Sequence, residues 1–178
     1  AYEGHSDEIN TCIGCNQGCL DLIFQNQRAT CLVNPMACYE SEIKIESATA
    51  KKNIAVIEAG PAGLSLAITA AERGHLVTLF ERSNEIGGQF NLAKKIPGKI
   101  EFAETIRYFK KQIEIKKIKL KLNSNPTADD IVNSNFDSVV IATGVTPRTI
   151  DLPGIRHKKV VSYLDVLEGR VSTGNSVA

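Results

Sequence analysis

Asn53-Ile54-Ala55-Val56-Ile57-Glu58-Ala59-Gly60-Pro61-Ala62-Gly63-Leu64 decides how this chain is read. A short β-rich run ends in a glycine turn, and a helical pattern opens at once. Leu64, Ala67, Ile68 and Ala71 recur on one helical face, and Gly74 stands where a C-cap glycine belongs. A second apolar run, Leu76 to Phe80, ends in Glu81, 21 residues past Gly60. That is near the offset at which a carboxylate holds a ribose hydroxyl. Strand, glycine turn, helix, strand and acid together predict a dinucleotide-binding βαβ unit. The helix N-terminus offers free N–H groups and a positive dipole end to a pyrophosphate.

One position breaks the pattern. Gly60 and Gly63 fit the second and third glycines of G-x-G-x-x-G, and Glu58 stands in place of the first, which normally makes the tight turn. It adds a Cβ and a carboxylate facing a phosphate site. At ~5 Å and an effective dielectric of ~20, such a like-charge contact costs roughly 3 kcal/mol. The competing reading is a plain βαβ crossover that binds nothing.

The 178 residues, 43% hydrophobic and 23% charged, suffice for one core and an appendage. A formal net charge of +1 gives no bulk electrostatic case for nucleic acid or a membrane surface. No apolar run approaches the ~20 residues that span a bilayer, and no signal peptide is visible. Ala1 in place of Met, and a C-terminal Gly174-Asn175-Ser176-Val177-Ala178 resembling the entrance to another strand, predict a piece of a larger protein.

Before the βαβ unit come Cys12, Cys15, Cys19 and Cys31, spaced C-x2-C-x3-C-x11-C. Three thiolates within eight residues can wrap one side of an iron–sulfur cube, and a fourth from further along can close it. Zinc is the rival, although its sites more often use two separated Cys or Cys/His pairs. Disulfides are the third option and suit small secreted domains. Cys38, the fifth cysteine, reads as a buried free thiol. Leu20, Ile23 and Phe24 predict a short helical face, Gln25 to Arg28 a turn, and residues 40–52 a connector. The expected division is a metal-binding lobe over 1–50, an α/β domain over 51–172, and the start of a further domain over 173–178.

Within the α/β part, Gly87-Gly88 permits close approach of the backbone to a ligand. Phe102, Ile106, Phe109 and Ile113 mark an amphipathic helix, whose Lys110, Lys111, Lys116 and Lys117 read as a solvated face. Ile118, Leu120 and Leu122 alternate as in a half-buried strand. Thr127 to Asp130 resembles a capping box. Ser138 to Ala142 reads as a central strand that delivers Gly144 to the ligand-binding end of the sheet, and Ser162 to Glu168 reads as a helix stopped by Gly169. His5, His75 and His157 are isolated, and no acid–base pair or activated nucleophile stands out.

Cys12-Ile13-Gly14-Cys15-Asn16-Gln17-Gly18-Cys19 and Cys31-Leu32-Val33-Asn34-Pro35 resemble the iron–sulfur segment of bacterial NADPH-dependent 2,4-dienoyl-CoA reductases. These belong to the NADH:flavin oxidoreductase group with trimethylamine dehydrogenase. The resemblance runs on through Glu85 to Asn91, Ile96-Pro97-Gly98-Lys99 and Ser162 to Leu167. It implies a partial Rossmann-like FAD-binding domain with a parallel sheet, preceded by an iron–sulfur lobe. It implies electrons passing from NADPH through FAD and a [4Fe-4S] cluster to FMN in an upstream TIM barrel. By resemblance, Cys12, Cys15, Cys19 and Cys31 would hold the cluster. Gly60, Pro61, Gly63, Glu81, Gly88, Gln89, Lys99 and Gly144 would line the FAD site, with Gln17 bridging towards the flavin.

Against the family pattern stand Glu58, and Pro126 where a backbone N–H would reach the adenine. The barrel and NADPH domain are not within this sequence, so the chain alone is expected not to turn over substrate. A metal-binding module without enzyme activity, an inactive gene remnant, and a segment of an enoate reductase or amine dehydrogenase are the alternatives. A thiolate-bound cluster makes the cytoplasm the expected address.

Overall fold

A computed structural model describes residues 4–177. Its centre is a four-stranded, all-parallel sheet: β1 (Asn53–Ile57), β2 (Leu76–Phe80), β3 (Lys119–Lys121) and β4 (Ser138–Ile141), in the order β3-β2-β1-β4. Parallel neighbours need crossovers. Helix α2 (Pro61–Glu72) supplies the one between β1 and β2. α3 (Phe90–Ala93) and α4 (Phe102–Ile115) lie between β2 and β3, and α5 (Ala128–Val132) between β3 and β4. The short α1 (Leu22–Phe24) belongs to the N-terminal lobe, and α6 (Tyr163–Leu167) follows the sheet.

Strand β1 has neighbours on both sides, and Ala55 and Val56 are wholly buried. Leu64, Ala67 and Ile68 of α2 pack onto it with Leu79 of β2 and Ile86. Ile106 and Ile113 of α4 close the layer. The four-residue spacing read from Phe102 onward thus becomes one buried helix face. α2 ends where expected, with Gly74 at φ +92°. The Thr127 hydroxyl accepts from the Asp130 N–H while the Asp130 carboxylate accepts from the Thr127 N–H, completing the capping box of α5. Ser162 caps α6, and Gly169 follows it at φ +75°.

Three expectations are corrected. Strand β4 is the edge of the sheet, not its centre. Its burial alternates, leaving Ile141 75% exposed. The unbroken apolar run Ser138 to Ala142 hid that alternation. Cys38 is exposed, at φ +65°, because the tight turn over 35–38 points it outward. Nor is the lysine face of α4 wholly solvated: Lys111 pairs with Asp7 at 2.8 Å and Lys116 with Glu72 at 3.8 Å. Among the described residues no strand forms over 174–177, and the rest of that expectation, Ala178, lies outside them. Among the described residues, too, no helix is long and apolar enough to cross a membrane.

A candidate dinucleotide cradle beside a cysteine lobe

The strand order reverses at β1: β2 and β3 lie to one side of it, β4 to the other. Open α/β sheets bind ligands outside the carboxyl ends of their strands at such a switch point. The register Ile57↔Phe80 and Ile57↔Ile141 brings Glu58, Glu81 and Ala142 to that edge together.

The turn from β1 to α2 is tight. Gly60 is the N-cap residue, and Pro61 fills the first helical position, where its missing N–H is no loss. The Leu64 N–H donates to the Gly60 carbonyl at 2.9 Å, so the N–H groups of Ala62 and Gly63 point outward without an intrahelical partner. A Cβ on Gly63 would lie 2.0 Å from the Glu58 carbonyl oxygen, so only glycine lets α2 approach β1 this closely. A Cβ on Gly60 would meet nothing within 4 Å. The protein itself therefore does not demand glycine there, whereas a ligand lying on the turn would.

The second glycine loop lies against the first. The Gly87 N–H donates to the Ala59 carbonyl at 2.8 Å. A Cβ on Gly88 would come within 3.0 Å of Gly60 Cα. Gln89 Nε2 donates to the Val145 carbonyl at 2.9 Å, which ties this loop to the turn after β4 that carries Gly144. Gly60, Pro61, Gly63, Gly88, Gln89 and Gly144 are thus brought together from three separate stretches. Lys99 places its Nζ 5.7 Å from the centre of the Phe102 ring.

Glu81 is 2% exposed. Its Oε2 accepts from the Ala59 N–H and its Oε1 from the Ser83 N–H, both at 2.8 Å. The acid found by its offset from Gly60 therefore braces the turn itself. Glu58 lies beside it at φ +78°, the left-handed region that favours glycine. Its side chain is 18% exposed and reaches Arg82, Oε1 to Nε 3.6 Å. Burial pushes the Glu58 carboxyl up from its ordinary value; the Glu81 charge adds to this and Arg82 opposes it.

The cysteine lobe folds around a five-residue π-helical turn, Gln17–Asp21, which runs into α1. A Cβ on Gly18 would lie 3.0 Å from the Thr30 carbonyl oxygen and 3.2 Å from Cys31 Cα, so Gly18 lets the Cys31 segment pack directly against it. The Gly14 N–H donates to Cys12 Sγ at 3.4 Å. Cys15, Cys19 and Cys31 are half-buried, Cys12 is exposed, and none forms a disulfide. The disulfide option is not realised. Among the described residues, no three His, Cys, Asp or Glu side chains are close enough to share one metal ion. Four sulfurs on one zinc sit about 3.8 Å apart, given Zn–S near 2.3 Å. A cube with one thiolate per iron would spread its ligands more widely than a single ion.

Arg107 of α4 went unread in the sequence, because a cation on an amphipathic helix looks like surface. Its guanidinium donates to the carbonyls of Asp7 at 2.6 Å and Ile9 at 3.0 Å, and it pairs with Glu104 at 2.7 Å. It clamps the N-terminal segment onto the α/β domain. Between the two parts lies a cavity of about 320 Å³, walled by Cys15, Gln17, Pro61, Ser65 and Phe90 among others. Gln17, from the cysteine loop, and Pro61, from the glycine turn, thus face one space.

A family model described as pyridine nucleotide-disulphide oxidoreductase matches residues 52–172. The chain is 38% identical over 181 residues to a metal reductase of Desulforamulus reducens, covering 99% of this chain and 27% of that protein. It is 41% identical over 182 residues to an NADH oxidase of Thermoanaerobacter brockii, covering 97% and 27%. A solved 2-naphthoyl-CoA reductase superposes with a TM-score of 0.92 at 44% identity, covering 98% of this chain and 27% of that one. The chain therefore spans about a quarter of the length of these relatives. With its parallel sheet, glycine turn and switch-point cradle, it belongs to the pyridine nucleotide-disulphide oxidoreductase family, in the NADH:flavin oxidoreductase branch.

Proposed function

We propose that this chain is the electron-relay segment of a flavin- and iron–sulfur-dependent oxidoreductase. FAD lies on the β1–α2 turn, and a [4Fe-4S] cluster is held by Cys12, Cys15, Cys19 and Cys31. The observation that carries the reading is the shared cavity. Its lining takes Cys15 and Gln17 from the cysteine loop and Pro61 and Ser65 from the start of the cradle helix. A flavin accepts a hydride from a nicotinamide and releases electrons singly to an iron–sulfur centre. Around it, the residues of this chain bind and orient. The outward N–H groups of Ala62 and Gly63 face the pyrophosphate, Glu81 fixes the turn, and Gly88 lets the second loop close over it. The Gly14 N–H lies within reach of a ligand sulfur, and such donors tune cluster potential.

Two of the three relatives are named for what they reduce, a metal and 2-naphthoyl-CoA, and the third for the NADH it oxidises. A segment common to all three fits the delivery of electrons better than the choice of acceptor. NADPH or NADH as donor, an FMN-bearing barrel as recipient, a 2,4-dienoyl-CoA or related substrate, and a cytoplasmic setting complete the proposal. Anaerobic reconstitution tests it. The expected product holds about four irons and four sulfides per chain. Serine at Cys12, Cys15, Cys19 or Cys31 is expected to lower that yield, and Cys38→Ser to leave it intact. A product holding one zinc, or no metal, would overturn the cluster.

A further inference from the structure

The cradle and its first residue disagree. Three glycine-bearing stretches, an outward-facing helix N-terminus and a bracing acid converge on the β1–α2 turn, yet a carboxylate stands in the turn itself. Glu58 cannot leave easily. Its carbonyl oxygen abuts Gly63, at 2.0 Å from where a Cβ would be, and its N–H donates to the Phe80 carbonyl at 2.8 Å. Held on both sides, the residue keeps φ +78° although it is not glycine. Nor has its side chain swung free into solvent. It is 18% exposed, and its one ionic partner among the described residues, Arg82, is held at 3.6 Å, longer than a good hydrogen bond.

Resting on the nucleotide reading above, we propose that Glu58 sets the affinity of this cradle. Its carboxylate opposes the anionic bridge of a dinucleotide, so that the site binds FAD weakly while Glu58 is ionised and more tightly once it is neutral. The charged groups facing it are Glu81 and Arg82, both from the end of β2, and the first turn of α2 contributes no acid. Glu81 adds negative charge to the same corner. Arg82, with 70% of its own side chain exposed, neutralises only part of it. Protonation of Glu58 would remove one of two carboxylates from a turn designed around phosphate. Burial and the Glu81 charge both move that event above the ordinary glutamate range, against the pull of Arg82.

The test is equilibrium binding of FAD to the full chain, followed by quenching of flavin fluorescence, for the parent, Glu58→Gln and Glu58→Gly. Glutamine keeps the side chain's size and the positive φ but removes the charge; glycine removes both. Both variants are expected to bind FAD roughly tenfold or more tightly than the parent at pH 8, once Arg82's partial compensation is allowed for. Parent affinity is expected to rise as pH falls from 8 towards 5, while that of Glu58→Gln stays flat. Far-ultraviolet circular dichroism of each form confirms the fold beforehand. If all three bind alike, or if glycine alone tightens binding, charge at Glu58 is not the control and the inference fails while the nucleotide reading stands. Should none of the three take up FAD, the nucleotide reading falls and this inference with it.

Discussion

Gly63 and Glu58 are two halves of one contact. The glycine exists so that the glutamate's carbonyl can lie against α2. Gly63→Ala forces a methyl into backbone that cannot retreat, and a loss of about 3 kcal/mol is expected, read as a fall in the urea midpoint. Glu58 itself lowers stability in two ways. A non-glycine residue in the left-handed region costs roughly 1–2 kcal/mol, so Glu58→Gly should recover about 1 kcal/mol after the entropy glycine adds to the unfolded chain. The second effect depends on pH. Because the folded state raises the Glu58 carboxyl above its unfolded value, ionisation is harder in the folded protein. Below the ordinary glutamate range both states are protonated and nothing is lost. As pH rises through the folded value the penalty grows to its full size. Glu58→Gln should therefore raise the urea midpoint most at pH 7 to 8, with the gain shrinking towards about pH 4. An unchanged difference across that range would mean that the charge carries no weight in folding.

At the scale of elements, legibility followed locality. α2, α4, α5 and α6 were readable because their signals sit within a few residues: apolar spacing, Gly74 and Gly169 as stops, Thr127 and Ser162 as caps. Thr127→Ala removes the hydroxyl's half of the capping box and leaves the backbone N–H bond to Asp130 in place, at a cost of about 1 kcal/mol, and faster amide exchange through Ala128–Val132 is the expected sign. The cradle glycines were legible for the same reason. What stayed hidden depends on distant neighbours. The edge position of β4 is fixed by which strand comes next to it, and an apolar run looks alike at the centre and at the margin. The outward turn of Cys38 follows from a backbone twist that its own residue type does not signal. Arg107 owes its clamp to carbonyls roughly a hundred positions earlier in the chain. Glu81 was found by spacing, but its bonds to the turn's own N–H groups were not, since spacing locates an acid without saying which way it faces.

Taken whole, the molecule is finished on one side and open on the other. α2 and α4 cover one side of the sheet, whereas β4, among the described residues, has no strand on its outer side and leaves Val139 43% and Ile141 75% exposed. An unpaired apolar edge is a template for strand addition. At high concentration the chain is expected to self-associate in sedimentation velocity, and Ile141→Lys to shift it back towards monomer; identical profiles for the two would exonerate this margin. On the finished side a single helix does two jobs. α4 inserts Ile106 and Ile113 into the core and, one residue round from Ile106, extends Arg107 to the cysteine lobe. Since each residue advances a helix by about 100°, one amino acid inserted between Arg107 and Ile113 would swing the clamp and the greasy face out of phase. Evolution can lengthen the surface turns of this protein freely, but α4 has become a fixed-length camshaft, its angular timing inherited by both modules at once.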